Sequence, residues 1–369
     1  MRPLKILHTE WSDGWGGQER RILLECEGLM ARGHQVEIAT RESCWVAKEA
    51  RSRGIPTTFF PMVRKLDFVS IRQLRAHLRQ GCFDVVHTHS GIDAWIGGIA
   101  AKWAGTPALV RTRHLFMPFH RSLLNFVHYL PDRLFCLGDT MRAMLVDECG
   151  FPDREVVNIP TGIDFGLFRP SRGRSEVRAE LGVGDDEFLV LVVGVLRGVK
   201  RHDIAIDGFA RFLKAGGKGR LVLAGDGPMR SNMEELVRSL GIEDQARLLG
   251  HRTDVPDLMG AADTLLLTSR SEAQSQALTQ GIGLGIPAVA TAVGGVPEVV
   301  VHERTGLLVP PGDPDAVAIA LHRLADNPTL RRQLGDAGRE HANRCYSLAA
   351  MLDATEAAYR TVLEEKGRW

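Results

Sequence analysis

Short apolar runs alternate along the chain with longer segments whose apolar residues recur at helical spacing. The runs predict strands at Lys5–Thr9, Gln35–Thr40, Asp84–His89, Ala108–Thr112, Arg133–Leu137 and Val156–Pro160. Between the first two, Gln18–Ala31 reads as an amphipathic helix closed by Gly33. After a charged, helix-prone stretch from Phe168 to Asp186, the pattern restarts with a long apolar strand, Phe188–Leu196. Its expected partners are Arg220–Ala224, Ala246–Leu249, Thr264–Thr268, Ala288–Thr291 and Gly306–Val309, with helices over Pro314–Ala325 and Leu348–Lys366. Strands alternating with helices predict an α/β architecture with parallel sheets. The two series predict two domains, 1–166 and 187–347, with 167–186 as a connector. Ligands of such sheets bind beyond the C-terminal ends of the strands. Two facing sheets would place the site in a cleft.

A chain of 369 residues suits about two domains on a prior of roughly 150 residues each. The formal net charge of +1 excludes a nucleic-acid binder by bulk charge. The charge is uneven, however: Arg41–Arg121 carries 13 Lys or Arg against 5 Asp or Glu. That excess suits a basic face toward an anionic membrane or polymer. The six cysteines (Cys26, Cys44, Cys82, Cys136, Cys149, Cys345) form no C-x-x-C pair and have no zinc spacing. They read as reduced thiols of a cytoplasmic protein. No apolar run approaches the ~18–20 residues that span a bilayer, and MRPLKILHTEW lacks a signal-peptide core.

Several residues could carry chemistry. Asp13-Gly14-Trp15-Gly16-Gly17 joins a strand to a helix, where Gly16 and Gly17 allow close backbone approach to a ligand. Lys200, with Arg197 before it, follows a strand end and could neutralise a departing diphosphate. Glu272 follows the Thr264–Thr268 run, and a helix starting near Ser275 would offer the amides of Ser275, Gln276 and Ala277 to an anion. Gln280 lies eight residues after Glu272. His114 follows the Ala108–Thr112 strand and could bond a sugar hydroxyl. His87 and His89 share a strand face without a third ligand nearby in sequence, and Asp313-Pro314-Asp315 reads as a helix cap, so no metal is expected. There is no G-x-S-x-G elbow and no Walker loop.

Read in order, GGQERRILLECEGLMARGHQVEIAT, DVVHTHS, VRTRHL, IPTGIDFGLFRP, LVVGVLRGVKRHDIAI, LVLAGDGPMR and GIPAVATAVGGVPEVV span essentially the whole chain. With these segments the chain resembles the retaining glycosyltransferases of family four, the glycogen-synthase-like type with the GT-B fold. The resemblance implies two Rossmann-like domains facing across a cleft, with the last helix, 348–369, returning to the first. It implies that the second domain binds a nucleoside-diphosphate-sugar, a UDP- or GDP-sugar, without metal or other cofactor. Lys200 would meet the diphosphate, and Gly17 lies where the first loop approaches it. Glu272 would bind the donor sugar beside the backbone of Ala273, Gln274, Ser275 and Gln276. Arg252 and Thr253 would hold the base through backbone, and domain closure would bring His114 onto the donor.

Three residues depart from the family pattern. Gln280 replaces the second glutamate, which in that family holds the ribose hydroxyls. Val195 replaces an arginine, and Arg197 would share its face if the strand continued. Thr161 replaces an asparagine and is expected to be structurally minor. The expected activity is sugar transfer with retained configuration to a glycan or lipid-linked acceptor, in cell-surface polysaccharide or lipopolysaccharide synthesis. The alternative is a non-catalytic relative acting as scaffold or regulator. The basic stretch, with Trp45, Phe59, Phe60, Phe68, Phe116 and Phe119, suggests peripheral contact with the inner membrane face.

Overall fold

The computed structural model describes residues 2–120, 122, 125–184 and 186–368. Arg121, the end of the basic stretch, and Met1 and Trp369, the outer limits of the expected domains, lie outside the described residues. The chain divides into two compact units, Met1–Gly162 with Leu348–Trp369, and Ile163–Ser347.

The first unit holds a seven-stranded sheet in the order β3-β2-β1-β4-β5-β6-β7. Its strands are β1 (Lys5–Thr9), β2 (Gln35–Thr40), β3 (Thr57–Phe59), β4 (Val85–Thr88), β5 (Ala108–Thr112), β6 (Arg133–Cys136) and β7 (Val156–Asn158). The second holds β8 (Phe188–Val193), β9 (Gly219–Ala224), β10 (Ala246–Gly250), β11 (Thr264–Leu267), β12 (Ala288–Thr291) and β13 (Gly306–Val309), ordered β10-β9-β8-β11-β12-β13. All ladders between these strands are parallel. Parallel strands covered on both faces need continuous apolar runs, which is what β8 (FLVLVV) and β11 (TLLL) supply. In each sheet the strand order reverses once, between β1 and β4 and between β8 and β11. Such reversal points are where open α/β sheets bind ligands.

The final helix, Leu348–Glu365, belongs to the first unit. A Cβ on Gly28 would overlap Leu352, so the glycine lets this helix lie close against Gly17–Ala31. Tyr359 is fully buried, its hydroxyl 2.6 Å from His87 Nδ1. Thr161 is not minor: its hydroxyl accepts from the buried Arg21 guanidinium at 3.2 Å.

The stretch expected as a connector is part of the second unit. Its helix, Arg174–Leu181, buries Val177 and Leu181, and Arg178 reaches the carbonyls of Ala261, Gly184 and Glu187. The strand expected to run to Leu196 stops at Val193. Gly194 has φ +159°, and a Cβ at Gly225 would overlap its carbonyl, so two backbone strips cross where a strand would continue. The basic stretch is not one face either. Arg111 is buried against His128, and Arg53 pairs with Glu27. Of the six aromatics expected to face lipid, Phe60 is buried and Phe119 packs on Tyr129 and Phe151. All six cysteines are free thiols, Cys82 exposed.

Candidate active site

The second unit assembles its polar centre at the strand-order reversal. β8 ends at Val193, and a short turn, Gly198–Lys200, follows. Thr268, just past β11, ties this turn down: its hydroxyl donates to the Arg201 carbonyl at 2.7 Å, and the Arg270 amide donates to the Val199 carbonyl at 2.8 Å. These bonds bring Lys200 Nζ to 2.6 Å from Glu272 Oε1. The Ser269 hydroxyl donates to the same oxygen at 2.7 Å. Glu272 is 9% exposed, and the Lys200 side chain 28%. The nearby His202, buried, is pushed down to about 4 by burial and then by the Lys200 charge, so it stays neutral near pH 7.

The Glu272–Ala273 strip is clamped by Gly294 and Gly295. The Gly295 amide donates to the Glu272 carbonyl at 3.1 Å. A Cβ on Gly294 would overlap the Glu272 carbonyl oxygen, and one on Gly295 that of Ala273. Gly294 also has φ +50°, a left-handed conformation that glycine adopts freely. The helix Gln276–Gly283 then starts at Ser275, whose side chain accepts from the Leu278 amide at 3.4 Å. The positive end of that helix dipole thus lies three residues beyond Glu272. Gln280 sits partly buried one turn into this helix.

Other expected site residues lie outside this pairing. Arg197 is exposed and makes no side-chain hydrogen bond or ion pair among the described residues. It does not share a strand face with Val195, because β8 has ended. The Arg252 side chain is spent on Asp254 (Nε to Oδ1, 2.7 Å) and Glu180 (2.9 Å), while Thr253 is exposed. Asp313, read from the sequence as a helix cap, does cap the helix Pro314–Ala325, accepting from the Ala316 amide at 2.9 Å.

In the first unit, Gly16 is the residue before the helix Gly17–Ala31, and its amide donates to Glu19 Oε2 at 2.8 Å. His114 follows β5, partly buried, with Nε2 at 3.3 Å from His89 Nδ1. The sequence reading missed Glu10 and Asp93. Glu10 Oε1 accepts from the amides of Trp11 and Ser12, both at 2.7 Å, and Asp93 Oδ2 accepts from the Thr9 hydroxyl and the His89 amide, both at 2.8 Å. Their only sequence signal is an acid just past a strand and one in a helix first turn. Burial, then the Asp93 charge, pushes Glu10 up to about 8. A raised carboxyl stabilises the fold below its ordinary value of 4.5, and that contribution is lost as pH rises through 8. Glu10→Gln should therefore gain on the wild type in denaturant midpoint between about pH 5 and 8. A constant difference across that range would refute the assignment.

Comparisons with known proteins bear on the family and the fold. Residues 173–341 match the family model "Glycosyl transferases group 1", and residues 15–166 match "Glycosyltransferase Family 4". D-inositol 3-phosphate glycosyltransferase of Kribbella flavida is 30% identical over 311 residues, covering 77% of this chain and 72% of the relative. UDP-Gal:alpha-D-GlcNAc-diphosphoundecaprenol alpha-1,3-galactosyltransferase of Escherichia coli is 25% identical over 346 residues, covering 89% of each. The crystal structure of Anabaena HepE in complex with UDP-glucose superimposes with a TM-score of 0.84 at 20% identity, covering 96% of this chain and 99% of that one. At that identity the likeness shows the fold. Two doubly wound α/β units of the GT-B type, matched in order by two family models, identify the chain as a member of the group 1, family-4-type glycosyltransferases.

Proposed function

We propose that the second unit binds a nucleoside-diphosphate-sugar and that the protein transfers the sugar with retained anomeric configuration. The observation that carries this reading is the Lys200–Glu272 pair at the β8/β11 reversal, with a helix start three residues on. An ammonium and a helix N-terminus suit a diphosphate, and a carboxylate suits sugar hydroxyls. In the transfer, the bond from C1 to the diphosphate oxygen breaks while the acceptor oxygen bonds C1 on the same face. The acceptor proton passes to the departing diphosphate, whose charge Lys200 and Arg197 offset. The first unit binds the acceptor, and His114 offers an imidazole nitrogen to a sugar hydroxyl. UDP-glucose in the Anabaena protein and the UDP-Gal donor named for the Escherichia coli relative favour a uridine donor. The diphosphoundecaprenol acceptor of the latter favours a lipid-linked glycan.

Calorimetric titration with UDP, GDP, ADP and CMP tests the donor site. One nucleotide should bind with Kd on the order of micromolar, about −8 kcal/mol; no binding to any would overturn the reading. Proton NMR of the product reads the anomer, and inversion would overturn the retaining assignment. Arg197→Ala should weaken the bound nucleotide about tenfold, the loss of one exposed charge-assisted contact to phosphate. Unchanged affinity would remove Arg197 from the site.

A lipid-linked acceptor brings the enzyme to a membrane, although no helix among the described residues is long and apolar enough to cross one. Val63 (72%), Phe68 (72%) and Val69 (59%) are exposed within one short stretch that also exposes Arg64 and Lys65. Apolar side chains interleaved with cations suit an anionic bilayer surface. Charge reversal at Arg64 and Lys65 should abolish sedimentation with phosphatidylglycerol vesicles; a wild type that never sediments would refute the contact.

A further inference from the structure

Three imidazoles from neighbouring strands of the first unit form one hydrogen-bonded line. His8 lies on β1, His89 just past β4 and His114 just past β5, and β4 sits between β1 and β5. His8 Nδ1 is 3.0 Å from His89 Nε2, and His89 Nδ1 is 3.3 Å from His114 Nε2. The His8 and His89 rings stack, with centroids 5.3 Å apart and planes 12° apart. The His89 amide is pinned by Asp93 Oδ2, which also takes the Thr9 hydroxyl.

The neighbouring His87 invites a metal reading, since ligand atoms of His8, His87 and His89 lie within 4.8 Å of one another. The hydrogen bonds argue against a chelate. His87 Nδ1 meets the Tyr359 hydroxyl at 2.6 Å, and its Nε2 meets the Thr112 hydroxyl at 2.7 Å. His8 Nδ1 and His89 Nε2 are spent on each other. A metal ion would have to displace these bonds.

Burial holds His8 down at about 3, and His89 and His114 well below the ordinary imidazole value. All three rings are therefore neutral near pH 7, with one N–H and one bare nitrogen each. Two N–H···N bonds in series then have only two complete arrangements, one running toward His114 and one away from it. In both, Nε2 of His114 is engaged, so Nδ1 remains for a substrate. His8 Nε2 is buried with no partner among the described residues, where a bare nitrogen costs less than an orphaned N–H, so the line runs toward His114 and leaves its Nδ1 protonated. The hydrogen bond on one ring nitrogen sets the proton on the other.

We propose that His89, backed by His8, is a positioning residue that holds the His114 ring with Nε2 inward and in a single tautomer, presenting Nδ1 to the reacting sugar. This rests on the role given to His114 above. It predicts a loss in turnover rather than in donor binding, because the orientation of one nitrogen matters most at the transition state.

The test compares wild type, His89→Phe, His8→Phe, His114→Ala and the double variant His89→Phe/His114→Ala. Histidine ¹⁵N correlation spectra should show one neutral tautomer for His114 in the wild type, its signal identified by loss in His114→Ala. His89→Phe should convert that signal to a tautomer mixture and lower kcat about tenfold, with donor KM within about twofold. His8→Phe should move both in the same direction by a smaller factor. Adding His89→Phe to His114→Ala should cost nothing more, because one residue acts through the other. If His89→Phe does not fold, His89→Gln serves, since its amide can meet both neighbours and should restore the single tautomer. An unchanged His114 signal with unchanged kcat in His89→Phe would overturn the proposal, as would losses that multiply in the double variant. Full turnover in His114→Ala would instead overturn the role of His114 itself.

Discussion

Replacing Lys200 by alanine is expected to lower kcat about a thousandfold, the scale of deleting one donor aimed at charge that develops in a transition state. The geometry sets this expectation. Lys200 is held by its own turn, which Thr268 and Arg270 fasten to the end of β11. Arg197 lies three residues away on exposed backbone and can answer only part of the diphosphate charge. Stability should change little, by about 1–2 kcal/mol, because Lys200 is partly solvated and Glu272 keeps the Ser269 hydroxyl. The checks are single-turnover kinetics with the bound donor class and thermal unfolding of the same preparation. A fall in kcat of less than tenfold would show that the diphosphate lies elsewhere.

Gly294→Ala should lower kcat/KM about a hundredfold, although the residue contacts no substrate in the proposed reading. The added methyl overlaps the Glu272 carbonyl oxygen, and φ +50° already disfavours alanine by about 1 kcal/mol. Relief requires the 272–273 strip to move, and with it the carboxylate that Lys200 holds. Gly216→Ala is the control. Its φ is +93°, but nothing lies within 4 Å of the added Cβ. It should show the backbone strain in its unfolding midpoint and leave turnover unchanged. Equal activity in the two variants would separate the Gly294 clamp from the site.

Much of this architecture can be read from the sequence because buried parallel strands need unbroken apolar runs. β2, β5, β12 and β13 fall where those runs predict. β3 is not legible: three half-buried residues at a sheet edge, TTF, leave no periodicity to detect. The candidate residues Lys200 and Glu272 stand out by position, each in the loop that follows a strand. Their pairing does not, since it depends on how two strands distant in sequence become neighbours. The expected strand face shared by Arg197 and Val195 is absent for a local reason. Extending β8 by alternation ignores Gly194, which turns the backbone so that Gly225 can cross it. The imidazole line was hidden for the opposite reason. His8 carries no signal of its own, His89 and His114 lie at the ends of separate strands, and only the order β1-β4-β5 lines the three up.

Finally, the first unit is discontinuous along the chain, and this has a consequence for synthesis. Leu348–Glu365 supplies Met351, Leu352, Ala358, Tyr359, Val362 and Leu363 to a core whose other buried members precede residue 163. A ribosome must translate Ile163–Ser347 before those side chains exist, a delay on the order of ten seconds or more at roughly 5–20 residues per second. During that interval the nascent first unit presents an uncovered apolar face, with His87 lacking the Tyr359 hydroxyl, and by its end the later-made second unit has all of β8–β13 before the final helix exists. The order of maturation therefore runs against the order of translation, and chaperone demand should concentrate on the part made first.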